Sequence, residues 1–487
     1  MYTKIIAYLL GRLSFGMGMA MVIPFTVAVF NDEPCFLDFF FSIMTAGVLY
    51  LLLTEYGKDA NRKDISVREG IGTVFFAWIL AAVLAALPFI YSGILDPISA
   101  FFESMSGLTT TGATSIADLD IVPSSILLWR SLTHWIGGIG IIVLFVALLP
   151  QIAGSAVYLF NAEVSGFSNS RILPRIHTTA VALFIIYFLM TLGLTIALMF
   201  LGMSLFDAVN HACSAIATGG FSPYNNSVAY FDSAAIEFVL GFAMIMAGGN
   251  FALYYYMTHS GIKALINDLE FRVYICVLFI VTGMITWNIV HVNGFTLFEG
   301  FRYAFFQVAS FGSTTGFVSY NYDEWPAFSK LLLALMYFTG ACAGSTAGGI
   351  KICRFIVLVK TVAAELRRAL HPQMLLTVYY NKKILPVSTI INISRFFFMY
   401  ILVIVVLSFA LSFTGLSVED SLFGVASCIS SVGPAFGTLG AVSNFAEGEY
   451  NVTVDFWGTK YYEASSASTT FKVRSLGTFY CTGIVEK

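Results

Sequence analysis

Along the chain, apolar runs long enough to cross a bilayer alternate with shorter ones that are not. Runs at residues 5–30, 35–54, 71–91, 126–149, 178–201, 236–256, 273–292, 331–359 and 390–413 reach the roughly 20 residues a helix needs to cross the hydrocarbon core, so the pattern predicts nine spans. The first carries no small-residue cleavage site of a signal peptide and reads as a retained span. The polar segments between spans sort by charge. One set holds Lys58, Arg62, Lys63 and Arg68, then Arg171, Arg175 and His177, then Lys263 and Arg272, then the basic stretch 354–383 with Arg354, Arg367, Arg368, Lys382 and Lys383. The other holds mainly Asp96, Glu103, Asp118, Asp120, Asp207, Asp232, Asp323 and Glu324. The positive-inside rule makes the basic loops cytoplasmic, together with the N-terminus and its Lys4 and Arg12.

Each acidic segment contains a shorter apolar stretch, at 98–108, 204–216, 297–311 and 418–429, too short to cross and therefore required to turn back. Each then runs into Thr, Ser and Gly: Thr109-Thr110-Thr111-Gly112-Ala113-Thr114, Ala217-Thr218-Gly219-Gly220-Phe221, Ser313-Thr314-Thr315-Gly316-Phe317 and Ser430-Ser431-Val432-Gly433-Pro434. The unit of span, short helix, polar glycine loop and span recurs at intervals of roughly 100 residues, found as internal self-similarity. Irregular backbone at membrane depth is tolerated only where it faces protein or a water-filled cavity. Four such loops imply a shared aqueous pathway, and rings of backbone carbonyls are how potassium-selective filters replace the hydration shell of an ion. Glycine lets carbonyls be aimed at an axis through angles closed to other residues. Neighbouring hydroxyls add acceptors, and the negative end of each short helix points at the same place. The candidate filter residues are Thr110, Thr111 and Gly112; Ala217, Thr218 and Gly219; Thr314, Thr315 and Gly316; and Ser431, Val432 and Gly433.

A further run of small residues, 340–349, lies in the middle of a predicted span. Gly340, Gly344, Ser345, Thr346, Gly348 and Gly349 serve either close helix packing or a broken helix lying across the pathway as a gate. The gate is the preferred reading, because the run follows the third filter loop and Lys351 and Arg354 fix its end toward the cytoplasm. Glu103 is either an ion ligand or an anchor for the first short helix, whereas His134, His211 and Asp207 are read as local hydrogen-bonding groups.

Composition agrees with lipid as the solvent: 58% of the 487 residues are hydrophobic and 11% charged. The seven cysteines occur singly, without CxxC or metal-ligand spacing, so neither a disulfide framework nor a zinc site is expected. No metal or organic cofactor is called for, and a net charge of −3 carries no nucleic-acid footprint. No His, Asp or Glu clusters at helical spacing mark catalysis within the spans, so no catalytic residue is assigned. A secondary transporter of a small solute, with a midplane site on broken helices, is the competing class, but it predicts inverted repeats whereas these units run in one orientation.

The four loops, the segment His134-Trp135-Ile136-Gly137-Gly138 read as opening the second helix of the first unit, and Cys342-Ala343-Gly344-Ser345-Thr346 together resemble the TrkH-type subunits of the Trk/Ktr/HKT potassium transporter superfamily over residues 10–445. The resemblance implies an all-α polytopic membrane protein with four helix, pore-helix, filter-loop and helix units around one pore, preceded by two extra N-terminal helices. It divides the chain into a two-helix unit 1–66, pore units 67–152, 175–262 and 268–370, the last with its gating loop at 340–349, an incomplete fourth unit 385–445, and an aberrant tail 446–487. It implies potassium as the transported ion, filter glycines at Gly112, Gly219, Gly316 and Gly433, the inner (plasma) membrane as location, and a homodimer gated by a TrkA-like nucleotide-binding cytoplasmic subunit. Segments 150–175 and 354–383 are natural docking surfaces for such a partner, or ordinary positive-inside charge.

The resemblance fails after about Asn444. A final span holding Gly-Arg-Leu-Glu is expected there, yet 446–487 contains no run able to cross. The stretch 474–486 can be encoded by codons that, read one nucleotide later, give Gly-Arg-Leu-Glu and an apolar continuation, so the tail is read as a frameshifted translation.

Overall fold

The computed structural model describes residues 3–58, 67–140, 176–371, 377–381, 383–437, 448–456, 465–473 and 480–481. Helices α1 (Thr3–Phe30) and α2 (Phe36–Tyr56) form a hairpin whose far ends meet through Thr3 and Tyr56. The turn of this hairpin locks onto the next unit, for Glu33 accepts the backbone N–H groups of Ser124 and Ser125 at 3.1 Å each.

Four units follow, the fourth described through its short helix. The first contains α3 (Val67–Tyr91), α4 (Pro97–Leu108) and α5 (Ser124–Gly138). The second contains α6 (Ile176–Phe200), α7 (Leu205–Ile216), α8 (Ala234–Ala247) and α9 (Phe251–Ser260). After the short α10 (Lys263–Asn267), the third contains α11 (Leu269–Asn293), α12 (Leu297–Gly312), α13 (Ala327–Met336) and α14 (Ile352–Leu370). A two-stranded hairpin, β1 (Tyr379–Tyr380) and β2 (Lys383–Ile384), leads to α15 (Val387–Ser412) and α16 (Val418–Ser430) of the fourth. In the tail, β3 (Gly448–Phe456), β4 (Ser465–Val473) and β5 (Tyr480–Cys481) pair antiparallel in that order.

The four short helices start where the chain caps them. Asp96 accepts from the N–H groups of Ile98 and Ser99, Ser204 from Asp207, Thr296 from Glu299 in a reciprocal capping box, and Ser417 from Asp420. A polar cap at the same place in each unit starts a helix that the apolar pattern alone leaves undefined, and all four expected short helices are present.

The long spans are fewer than the hydropathy pattern predicts. Among the described residues, six helices (α1, α2, α3, α6, α11 and α15) are long and apolar enough to cross a membrane. Run 236–256 is two helices bent by 91° at Gly248-Gly249-Asn250, and run 331–359 is broken between Met336 and Ile352. Run 126–149 is helical only to Gly138, and 141–149 lies outside the described residues. Hydropathy averages composition over a window and is blind to glycine-rich backbone that leaves the helix. The segment His134–Gly138 is also placed differently from expectation: it forms the last turns of α5, which starts at Ser124. There Gly137 and Gly138 let α5 approach the backbone ends of α4 and α7, since a Cβ on either would overlap Leu108 or Ala217.

Candidate functional site

The four short helices end in the same hydrogen-bonded geometry. The N–H groups of Thr110, Thr218, Thr314 and Ser431 bond carbonyls three residues back, at 3.0–3.2 Å, and those of Thr111, Gly219, Thr315 and Val432 bond carbonyls five residues back, at 2.8–3.0 Å. This is the Schellman termination, which places one residue in the left-handed region. That residue is Thr110 (φ 55°), Thr218 (φ 55°), Thr314 (φ 58°) and Ser431 (φ 56°), where glycine would be the unstrained choice. Two residues later a glycine takes positive φ: Gly112 (78°), Gly220 (83°), Gly316 (88°) and Gly433 (95°).

This geometry corrects the register of the second loop. The counterpart of Gly112, Gly316 and Gly433 is Gly220, not Gly219. Gly219 lies at the position of Thr111, Thr315 and Val432, and its missing side chain makes room for the ring of His134, which stacks on Phe221 at 4.0 Å. Aligning the loops on a serine recovers the register from sequence. Ser106, Ser214, Ser310 and Ser427 each precede the left-handed residue by four and the glycine by six, a repeated S-x-x-x-[ST]-x-G. In two units this serine braces the loop exit: Ser310 Oγ donates to Phe317 O at 2.7 Å and Ser427 Oγ to Pro434 O at 2.8 Å.

The four loops form a closed ring. A Cβ on Gly112 would overlap the carbonyl oxygen of Gly219, one on Gly220 that of Thr315, one on Gly316 that of Val432, and one on Gly433 that of Thr111. Each glycine therefore abuts the carbonyl of the next unit, and the fourth returns to the first. A cavity of about 680 Å³ on the acidic-loop side is lined by all four of these glycines. On the other side a cavity of about 290 Å³ is lined by Thr109, Thr110, Gly137–Gly140 and the run 344–348.

Buried charge holds the ring in place from behind. Arg130 Nε donates to Glu103 Oε1 at 2.7 Å, with both side chains sealed from solvent, and Arg130 also reaches Ser222 O and Thr114 Oγ1 at 3.2 Å each. Glu103 further accepts from Thr114 and from the N–H of Ser115 at 2.8 Å, so these contacts make it an anchor of the loops. His211 occupies the same helical position in the second unit and meets Ser222 Oγ through Nε2 at 3.1 Å. Between the second and third units, Arg302 forms a forked pair with Glu237 at 2.7 and 2.9 Å.

The run 340–349 leaves the helix and lies against the ring. Its two limbs are bridged, Gly340 N donating to Ile350 O at 2.7 Å. It is zipped to the break in the second unit through Cys342 N to Gly248 O at 3.0 Å and Phe251 N to Gly344 O at 3.1 Å. Its tip reaches the loops: Gly348 N donates to Thr314 Oγ1 at 2.8 Å, and Thr218 Oγ1 donates to Thr346 Oγ1 at 3.2 Å. Gly340, Gly344, Ser345, Thr346, Gly348 and Gly349 thus share one irregular segment directly below the ring. Just past it Lys351, buried, donates back to Ala347 O and to Ser345 Oγ. Among the described residues no group of three or more His, Cys, Asp or Glu is arranged to hold a metal ion. Of the two candidate docking surfaces, 150–175 lies outside the described residues, whereas 354–383, described except at 372–376 and 382, comprises most of α14, with Arg367 and Arg368 in its last turn, and reaches into the β1–β2 hairpin.

Comparison with known proteins bears on this architecture. The model of the TrkH family, described as a cation transport protein, matches residues 33–448. The Trk system potassium uptake protein TrkH of Salmonella typhimurium is 35% identical over 458 residues, covering 92% of this chain and 93% of that protein. Its Escherichia coli K12 namesake is 34% identical over 451 residues, covering 90% and 92%. The crystal structure of the potassium transporter TrkH from Vibrio parahaemolyticus superposes with a TM-score of 0.81 at 32% identity, covering 90% of this chain and 92% of that one.

Proposed function

The chain belongs to the TrkH family of cation transport proteins, and from that membership we propose that it takes up potassium across the inner (plasma) membrane through the ring of four loops. The observation that carries the proposal is ring closure: each positive-φ glycine abuts the carbonyl of the next loop around the axis. Carbonyls from Thr111, Gly219, Thr315 and Val432 would replace water around a dehydrated cation, and the hydroxyls of the left-handed residues below them would add a second tier of ligands. The acidic-loop side is then external, attracting cations, and the basic-loop side cytoplasmic, with the N-terminus inside.

In this reading 340–349 is the gate. It lies where an ion leaving the ring would pass, and its hydrogen bonds to Thr218 and Thr314 hold it closed. A second copy of the chain and a nucleotide-binding cytoplasmic subunit complete the assembly, the subunit acting on the basic-loop side. The tail 446–487 stands where a last pore helix is needed, and the proposal includes its origin in a frameshift. The nucleotide sequence around Arg474 decides that point, since a shifted frame that does not encode Gly-Arg-Leu-Glu and an apolar run removes it.

The experiment is growth rescue of a potassium-uptake-deficient bacterium at low external potassium, comparing the chain as it stands with a version whose tail is restored to the shifted frame. Rescue by the restored chain alone supports both the potassium pathway and the frameshift, and rescue by both supports the pathway with a tolerated tail. Rescue by neither, with both present in the membrane, overturns the potassium assignment and returns the solute-transporter class.

A further inference from the structure

Glu270, in the first turn of α11, is a carboxylate only 4% exposed, and the groups that satisfy it are unusual. Its Oε1 accepts the N–H of Ala343 at 2.7 Å and the N–H of Cys353 at 3.0 Å. Ala343 lies on the descending limb of the irregular run, and Cys353 lies in the first turn of α14, just past its ascending limb. One oxygen therefore holds the two limbs together from outside. Lys351, the N-cap of α14, supplies no side-chain cap of its own, so a carboxylate from another helix takes that role, facing the positive end of the α14 dipole. The other oxygen, Oε2, accepts the hydroxyl of Tyr380 at 3.3 Å, from the hairpin that joins α14 to α15. The neighbouring Asn381 is bonded in turn to Asp268 at 3.0 Å, which keeps this hairpin on the start of α11.

We infer that Glu270 is a positioning residue for the gate, a clamp that fixes the irregular run in its seated conformation and ties that conformation to the β1–β2 hairpin through Tyr380. The inference rests on the reading of 340–349 as the gate. Hydrogen bonds to an ionised group are worth more than neutral ones, and leaving two backbone N–H groups buried without an acceptor is expensive. Movement of the hairpin that withdraws Tyr380 loosens the carboxylate and, through it, both limbs at once. A partner acting on the basic-loop side thus needs to displace only a short hairpin to reach a segment buried in the membrane.

The test reads the position of the run without ion movement. Cys342, fully buried, sits on the clamped limb beside Ala343, and Cys213, also buried, sits on α7 and reports general loosening. The full chain in detergent is treated with a water-soluble maleimide, and labelling at each cysteine is followed by peptide mass spectrometry. Glu270→Ala is expected to speed labelling of Cys342 by about tenfold or more, the worth of a charge-assisted hydrogen bond. Cys213 is expected to stay protected, whereas Glu270→Gln, which keeps one acceptor oxygen but loses the charge, and Tyr380→Phe are both expected to fall between the unsubstituted chain and Glu270→Ala. Labelling of Cys342 unchanged in Glu270→Ala overturns the inference. Equal acceleration in the alanine and glutamine variants, or exposure of Cys213 alongside Cys342, also overturns it by reducing Glu270 to general packing. Because no flux is measured, failed growth rescue and failed clamping remain separate results.

Discussion

Thr218 and Thr346 meet hydroxyl to hydroxyl at 3.2 Å, joining the second loop of the ring to the irregular run beneath it. Thr218 is the donor, so its lone pairs stay free and the bond serves to seat the run; weakening it shifts the balance toward the unseated state. Replacing Thr346 with Val keeps the shape and removes the bond, together with the hydroxyl's own contacts to Ile216 O and Ala247 O at 3.2 and 3.4 Å. Expected is a rise in basal rubidium flux into proteoliposomes of about threefold or more, the worth of at least one ordinary hydrogen bond. An unchanged or lower flux would argue that this contact does not hold the run in place.

The register of the second loop makes a separate prediction. Gly220 has φ +83° and abuts Thr315 O, whereas Gly219 has no such backbone demand and is confined by the His134 ring. Both Gly219→Ala and Gly220→Ala should abolish uptake. Trimming His134 to Ala should restore part of the Gly219→Ala loss and none of the Gly220→Ala loss, measured as growth at limiting potassium. Rescue of both, or of Gly220→Ala alone, would contradict the register.

Thr110 holds a left-handed φ of 55°, a conformation costing a β-branched residue about 1–3 kcal/mol. Thr110→Gly relieves that strain, so its thermal unfolding in detergent should shift upward. Its hydroxyl is lost with the change, so potassium over sodium selectivity should fall. A variant both less stable and equally selective would show that the threonine is there for packing alone.

Much of this arrangement is legible in the sequence because it recurs. The four short helices are found by apolar stretches too short to cross, and 340–349 by its small residues, since each disturbs a pattern that spans otherwise obey. The bend at Gly248-Gly249-Asn250 is hidden, because the apolar content on both sides averages into one run. The register of the second loop is hidden by its two adjacent glycines, and only the serine spacing separates them. Glu270 gives no local signal for this role, as its Oε1 serves backbone N–H groups 73 and 83 residues away, which carry no sequence signature, and its Oε2 a tyrosine 110 residues away.

The buried pair of Glu103 and Arg130 allows stability and function to be separated. Removing one partner strands a charge in a low-dielectric site, which costs about 3–5 kcal/mol, so Arg130→Ala is expected to lower membrane expression sharply. Replacing both, as Glu103→Leu with Arg130→Met, removes the charges and retains volume, a change that is often neutral or stabilising. The double variant should therefore accumulate far better than Arg130→Ala does, although Thr114 and the Ser115 N–H lose Glu103 as an acceptor. Yet Arg130 is also the donor to Ser222 O in the second loop and to Thr114 Oγ1 in the first, and methionine supplies neither bond. The two loops then lose their shared brace, and selectivity for potassium over sodium should fall although the protein is folded. Competition of sodium with rubidium uptake in proteoliposomes measures this directly. Unaltered selectivity in a stable double variant would mean that the pair supports the fold and leaves the ring's geometry to the loops' own hydrogen bonds.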